Sequence, residues 1–337
     1  ILEIVLAVLT LIANCIMTVI THNAIPVPYP QRRTLASISF NFVLLAGYQL
    51  ARNLFFGVSM YKPCITMVTT LTCKQHEFPL LFCYIHGAMA VFIVAIQAMT
   101  QMKPNHRPSQ WTSMCSVWQS ALIVVCIAAT LVFTAFDHDL EPQKMGQCSI
   151  LLALRDPDLT FCLLTLLILL HAASAAVASF SARRHMNRMT AAACLTISLR
   201  EVFATETVLW HFSLFFSGCC VVYRHIVTDS CDDCILIALE LSFIILPLIV
   251  AFLHPMLTIW YVFPMRDAAV RAYPCLRLLL PEYAMVPPPP VYTGRRGKSS
   301  NSIVDATMNL HHKQPVRVVM PRNCEHAEAS SALNINK

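Results

Sequence analysis

Between Cys73 and Met102 the chain reads CKQHEFPLLFCYIHGAMAVFIVAIQAMTQM, and from Phe78 to Gln101 only His86, Gln97 and Gln101 are strongly polar. At helical rise a run of this length matches the ~30 Å hydrocarbon core of a bilayer. Water is absent there, so the backbone has to satisfy its own hydrogen bonds, and the run is read as a transmembrane helix. Six more stretches share the pattern: Ile1–Ile20, Thr34–Gly57, Met114–Phe136, Leu159–Phe180, Val202–Val227 and Ile235–Phe263. Composition agrees, because 57% hydrophobic and 12% charged residues with a mean hydropathy of +0.61 lie outside the range of soluble proteins. Only 7 glycines occur, which argues against transporters built on glycine-broken helices. The fold expected is an all-α bundle of seven transmembrane helices with the third the most enclosed.

Polar residues inside the spans indicate which faces look inward. Asn14 is the lone strongly polar residue inside the first span, so it is expected to bond a neighbouring helix rather than meet lipid. The second span carries Ser37, Ser39, Asn41, Gln49, Arg52 and Asn53, with Arg52 placed to snorkel or to pair with a carboxylate. The sixth is the least regular, with Glu206, His211 and Arg224, and the seventh holds Glu240, Pro247, His254 and Pro255. The first residues already lie in an apolar run, so a short preceding segment is expected. That run is too long for a signal-peptide core and is counted as a span.

Lys and Arg near the span ends fix the orientation. One side collects Arg32, Arg33, Lys103, Arg107, Arg183, Arg184, Arg188, Arg200, Arg266, Arg271 and Arg277, whereas Lys62, Lys74, Lys144 and Arg155 on the other are offset by acids. The positive-inside rule then puts the N-terminus outside and the C-terminus in the cytoplasm of a multi-pass plasma-membrane protein. Nothing in this charge pattern points to nucleic acid.

Most of the 15 cysteines fall in or beside apolar runs and read as buried thiols. On the outer face lie Cys64, Cys73, Cys148, Cys231 and Cys234, where disulfides persist. A bridge from Cys73 to Cys148 would tie the start of helix three to the loop after helix four, with a local Cys64–Cys73 bridge as its competitor. Cys231 and Cys234 form one isolated CxxC pair, weak evidence for a metal and better read as a small loop disulfide or free thiols. Residues 1–263 thus form the bundle. Residues 264–283 read as an amphipathic juxtamembrane helix on the inner leaflet, with Cys275 a palmitoylation candidate, and 284–337 as a disordered cytoplasmic tail.

Enzyme signatures are missing: no HExxH, no GxxxxGK[ST], no GxGxxG and no pair of intramembrane aspartates. No metal or cofactor is expected. Seven helices, an external loop disulfide and basic inner loops make the arrangement of G-protein-coupled receptors. Against the rhodopsin-like pattern, helix three lacks Asp-Arg-Tyr and helix six lacks Cys-Trp-x-Pro. Three stretches instead resemble the nematode serpentine chemoreceptors of the Sra superfamily: KPCITMVTTLTCKQHEFP before helix three, SLREVFATETVLW into helix six, and FLHPMLTIWYVFPMR ending helix seven. One departure stands out, because where that family often has Glu-Arg near the end of helix three this chain reads Ile96, Gln97, Ala98, Met99.

The resemblance implies a chemosensory receptor that detects a small environmental molecule and signals to a heterotrimeric G protein, in a plasma membrane that includes the sensory cilium. Its ligand would meet Tyr84, His86, Phe161, Tyr223 and Glu240 in the outer half of helices three, five, six and seven, unless His86 or Glu240 pairs with Arg52 or Arg224. Its G-protein face would carry Lys103, Arg107, Arg183, Arg184 and Arg188. Two other readings share the hydropathy: a seven-helix transporter or channel subunit, and a receptor-like protein that no longer couples because the arginine is absent at Ala98.

Overall fold

The computed structural model describes residues 2–24, 27, 29–59, 68–100, 108–135, 144–145, 148–154, 157–185, 191–227 and 232–278. Cys64, Lys103, Arg107, Arg188 and the tail beyond 278 lie outside the described residues. The described chain is helical: α1 (Leu2–Asn23), α2 (Tyr29–Ser59), α3 (Thr70–Thr100), α4 (Pro108–Ala135), α5 (Pro157–His185) and α6 (Ala191–Ile226). A seventh long element, α7, joins an α-helix over Asp232–Leu239, a π-helical turn over Glu240–Ile245 and an α-helix over Leu246–Tyr261. It is followed by α8 (Phe263–Ala272). Two-residue strands, β1 (Val68–Thr69) and β2 (Lys144–Met145), pair antiparallel but build no sheet layer.

Six of these helices are long and apolar enough to cross a membrane: α1, α2, α3, α5, α6 and α7. The described apolar part of α4 runs over Gln119–Ala135 and is shorter. Among the six, α3 is the most enclosed, with 67% of its apolar window buried against 33–50% for the others. It touches α2, α4, α5 and α6, whereas α4 leans mainly on α3 and turns Ile123, Val124, Val125, Leu131 and Val132 outward. Closeness of α2 and α3 depends on Gly87, where a Cβ would lie 3.1 Å from Asn41 Nδ2. α8 spends its apolar face on protein, burying Met265, Ala268 and Ala269 against α1 and α7, with Arg271 paired to Asp267 at 2.6 Å. An amphipathic helix over 264–283 on the inner leaflet is the expectation from sequence; the described helix covers Phe263–Ala272. Residues Ile1–Pro274 form one compact unit and Cys275–Lys337 a second, of which only residues 275–278, in the 3-10 turn Pro274–Leu278, are described.

Two prolines explain the irregular course of α7. Proline has no N–H to donate and its ring crowds the preceding turn, so carbonyls one turn earlier lose their helical partner. In the π-helical turn Leu246 N–H donates to Leu241 O, and Pro247 cannot continue that ladder to Ser242 O. Ser213 Oγ of α6 donates to Ser242 O at 2.5 Å, and the Tyr84 hydroxyl of α3 donates to Phe243 O. Eight residues on, Pro255 leaves Ala251 O without its usual donor, and Asn14 Nδ2 of α1 supplies one at 2.9 Å. Neighbouring helices thus re-satisfy the backbone that the prolines free, which is how prolines are tolerated in such spans.

Candidate functional site

Intramembrane ionisable residues are expensive, so where they gather is where chemistry is to be sought. They gather at two places. At the end of the bundle carrying the Cys73–Cys148 disulfide, whose Cα atoms lie 5.3 Å apart, Arg52 of α2 is the hub. Its NH1 donates to Glu240 Oε1 of α7 at 2.7 Å, and its NH2 to Glu240 Oε2 at 3.3 Å and to Cys148 O at 3.1 Å. Its Nε faces Glu77 Oε1 of α3 at 3.2 Å. One guanidinium therefore holds α2, α3, α7 and the disulfide loop together. Glu77 is almost wholly buried, whereas about a quarter of the Glu240 side chain stays accessible. Geometry explains the choice of arginine, whose planar fork serves several acceptors at once while an ammonium is a point charge. Cys234, at the start of α7, is disulfide-bonded as well.

In the opposite half, Glu206 of α6 meets His254 of α7, Oε1 to Nδ1, at 2.6 Å, and both side chains are buried. The Phe42 ring of α2 stands edge-on to His254 at 5.2 Å, and His254 Nε2 has no hydrogen-bond partner. Between the two polar sites lies an aromatic core. Tyr84 meets Trp210 at 5.3 Å and Phe243 at 5.0 Å, edge-on in both cases, and His171 stacks on Trp210 at 4.8 Å. Rings from α3, α5, α6 and α7 thus fill the middle of the bundle.

No protein-family model matches the chain. A Caenorhabditis elegans protein described as "Uncharacterized protein T09B9.5" is 51% identical over 288 residues, which is 85% of this chain and 79% of the nematode protein. The chain belongs to that protein's family. The match takes in most of both chains, so the family shares the helical bundle and not merely one motif.

The ligand residues expected from the sequence fall into separate surroundings. Tyr84 belongs to the aromatic core, its hydroxyl spent on Phe243 O. His86 is buried, shares a 3.1 Å hydrogen bond with Asn41 Oδ1 of α2 and stacks on Phe82 at 5.5 Å. Glu240 belongs to the Arg52 cluster, the pairing weighed beside the pocket. Phe161 and Tyr223 do come together, lining a groove of about 490 Å³ between α5 and α6 with Leu164 and Phe215, and none of the other three lines it. Arg224 is exposed.

Of the basic face, Arg183 is exposed near the end of α5, and Arg184 lies in the same helix with its side chain outside the described set. Cys275 is exposed. Gln97 and Ala98, where the resemblance expects Glu-Arg, are both buried, and Gln97 accepts a hydrogen bond from Thr34 of α2 at 3.2 Å. From the sequence, Glu206 and His254 stand out without being paired, and Glu77 is not marked. The usable signal was simply that an ionisable residue inside a span requires a partner.

Proposed function

We propose that the chain is a seven-span chemosensory receptor, N-terminus outside and C-terminal tail in the cytoplasm, that detects a small environmental molecule and signals to a heterotrimeric G protein. The observation that carries this reading is α7. At the disulfide end it presents Glu240 to the Arg52 cluster, in the opposite half it presents His254 to Glu206, and between them its backbone is broken by a π-helical turn and two prolines. A helix whose backbone bonds are replaced by side-chain bonds from α1, α3 and α6 is the element this reading has a ligand bias from one packing to another. Ligand at the outer end would favour one packing, and the basic inner face would read it. α4 supplies the seventh span, an odd count that puts the termini on opposite sides.

Two experiments test this. Epitope tags at both ends of the full chain should stain on intact cells at the N-terminus and only after permeabilisation at the C-terminus; tags on the same side sink the seven-span arrangement. A second-messenger assay in cells co-expressing matched Gα subunits, challenged with volatile and water-soluble compounds, should give a response abolished by a G-protein inhibitor. Solute or ion flux through the reconstituted chain without ligand would replace the receptor with the transporter reading. The buried packing of Gln97 and Ala98 favours one variant of the proposal, a receptor-like protein that binds without coupling, and binding with no second-messenger change is its signature.

A further inference from the structure

We infer that the groove between α5 and α6 binds a neutral, lipid-soluble molecule, a single aliphatic chain carrying one hydrogen-bond-accepting oxygen such as a ketone or ester, which enters from the bilayer. This names a ligand class for the receptor reading and rests on that reading for its signalling; the binding itself does not.

Shape limits what fits. On α6 the lining runs from Leu214 to Val227, about 20 Å at helical rise. A volume of about 490 Å³ over that length makes a slot roughly 25 Å² in section, the width of one extended hydrocarbon chain whose carbons are met at ~4 Å. Gly218 keeps the slot open. A Cβ there would lie 3.7 Å from Leu164 Cδ1, an ordinary contact, so close packing of α5 on α6 does not demand glycine and its bareness serves the groove.

Polarity limits it further. No Asp, Glu, Lys, Arg or His lines the groove, and an ion taken into such surroundings would lose its hydration without compensation, so the occupant is neutral. One hydroxyl stands ready inside: Thr165 lines the groove about 12 Å along α5 from Pro157. Elsewhere in the bundle Thr18, Thr21, Thr130 and Thr205 each donate to the carbonyl four residues back. Thr165 makes no hydrogen bond among the described residues. A hydroxyl without a partner in hydrocarbon is costly, and an acceptor oxygen offsets that cost. The acyl chain of a bilayer lipid has no polar atom at that depth, whereas a ketone or ester reaching down the slot brings one. Ser217, next to Gly218, faces α7 and bonds Ser242 Oγ of the π-helical turn at 3.0 Å, so a chain seated against Gly218 would bear on that turn.

The test is photolabelling of the purified full-length chain in phosphatidylcholine nanodiscs with hexadecan-2-one carrying a diazirine on its chain, the adducts mapped by mass spectrometry. The expected result is labelling of the α5 and α6 lining that excess unlabelled hexadecan-2-one displaces saturably and hexadecane displaces far less well. Gly218→Phe, which fills the slot, should abolish it while leaving background labelling at outward-facing Val124 and Val125 of α4 unchanged. Thr165→Val, which keeps the shape and removes the hydroxyl, should raise the half-displacing concentration about three- to tenfold, the loss of one hydrogen bond. Should Gly218→Phe not fold, the Thr165 variant decides. Labelling no stronger than on α4, displacement by hexadecane as good as by the ketone, a diazirine-bearing phosphatidylcholine that the ketone cannot displace from the groove, or an unaltered Thr165→Val would overturn the inference. Saturable labelling with no second-messenger response to the ketone series keeps the site and removes the receptor reading; a G-protein response to other compounds with the groove unlabelled does the reverse.

Discussion

The two polar sites on α7 are built on opposite principles. At the disulfide end a permanent cation, Arg52, faces two carboxylates, Glu77 and Glu240, and a covalent bridge holds the loop above it. In the opposite half a single carboxylate, Glu206, faces a single imidazole, with no covalent tie among the described residues and the proline-broken stretch around Pro255 beside it. The first is a frame in which one guanidinium ties three helices to a disulfide-held loop, and the second a single contact between two helices.

Breaking the frame should be the largest effect. Arg52→Ala strands Glu77 and Glu240 together and is expected to cost about 3–5 kcal/mol of stability, read as lost Tm in detergent. Arg52→Lys should restore little, and Arg52→Ala with Glu240→Gln should recover part of the loss. Next comes the bridge. Cys148→Ser should cost about 2–4 kcal/mol, and a reducing agent should lower the Tm of the unaltered chain while leaving the bridge-less one nearly unmoved. Equal sensitivity of both chains would mean the frame does not depend on this disulfide.

Smaller effects belong to the opposite half. Glu206→Ala leaves His254 Nδ1 without its partner and should cost about 1–3 kcal/mol. If its cost matched that of Arg52→Ala, the contrast between frame and pair would fail. Asn14→Leu removes the donor to Ala251 O and should cost about 0.6–1.7 kcal/mol, the range for interhelical hydrogen bonds in membranes.

What could be read from the sequence follows from what bilayers demand locally. Length and apolarity mark α1, α2, α3, α5, α6 and α7, because each span must satisfy its own backbone. Asn14 faces inward as expected, and of the two pairings weighed for Cys73 the one with Cys148 is formed. Pairings across helices left no local trace: Glu206 and His254 are 48 positions apart, and nothing near either residue names the other. The π-helical turn was likewise hidden, since its acceptors are backbone atoms and its donors, Tyr84 and Ser213, look like ordinary core or ligand residues. Faces were hardest for the aromatic residues. Lipid and core are equally apolar, so the rings of Phe161 and Tyr223 carry little polarity signal to separate an inward from an outward direction.

Pro247 and Pro255 are eight residues apart on α7. At ~100° per residue their bends open in directions about 80° apart around the axis, and at ~1.5 Å rise they are separated by about 12 Å. Flexing at one alone would tilt the helix. Flexing at both, out of a common plane, would rotate the segment between them, which carries His254, so that α7 would work as a crank rather than a lever.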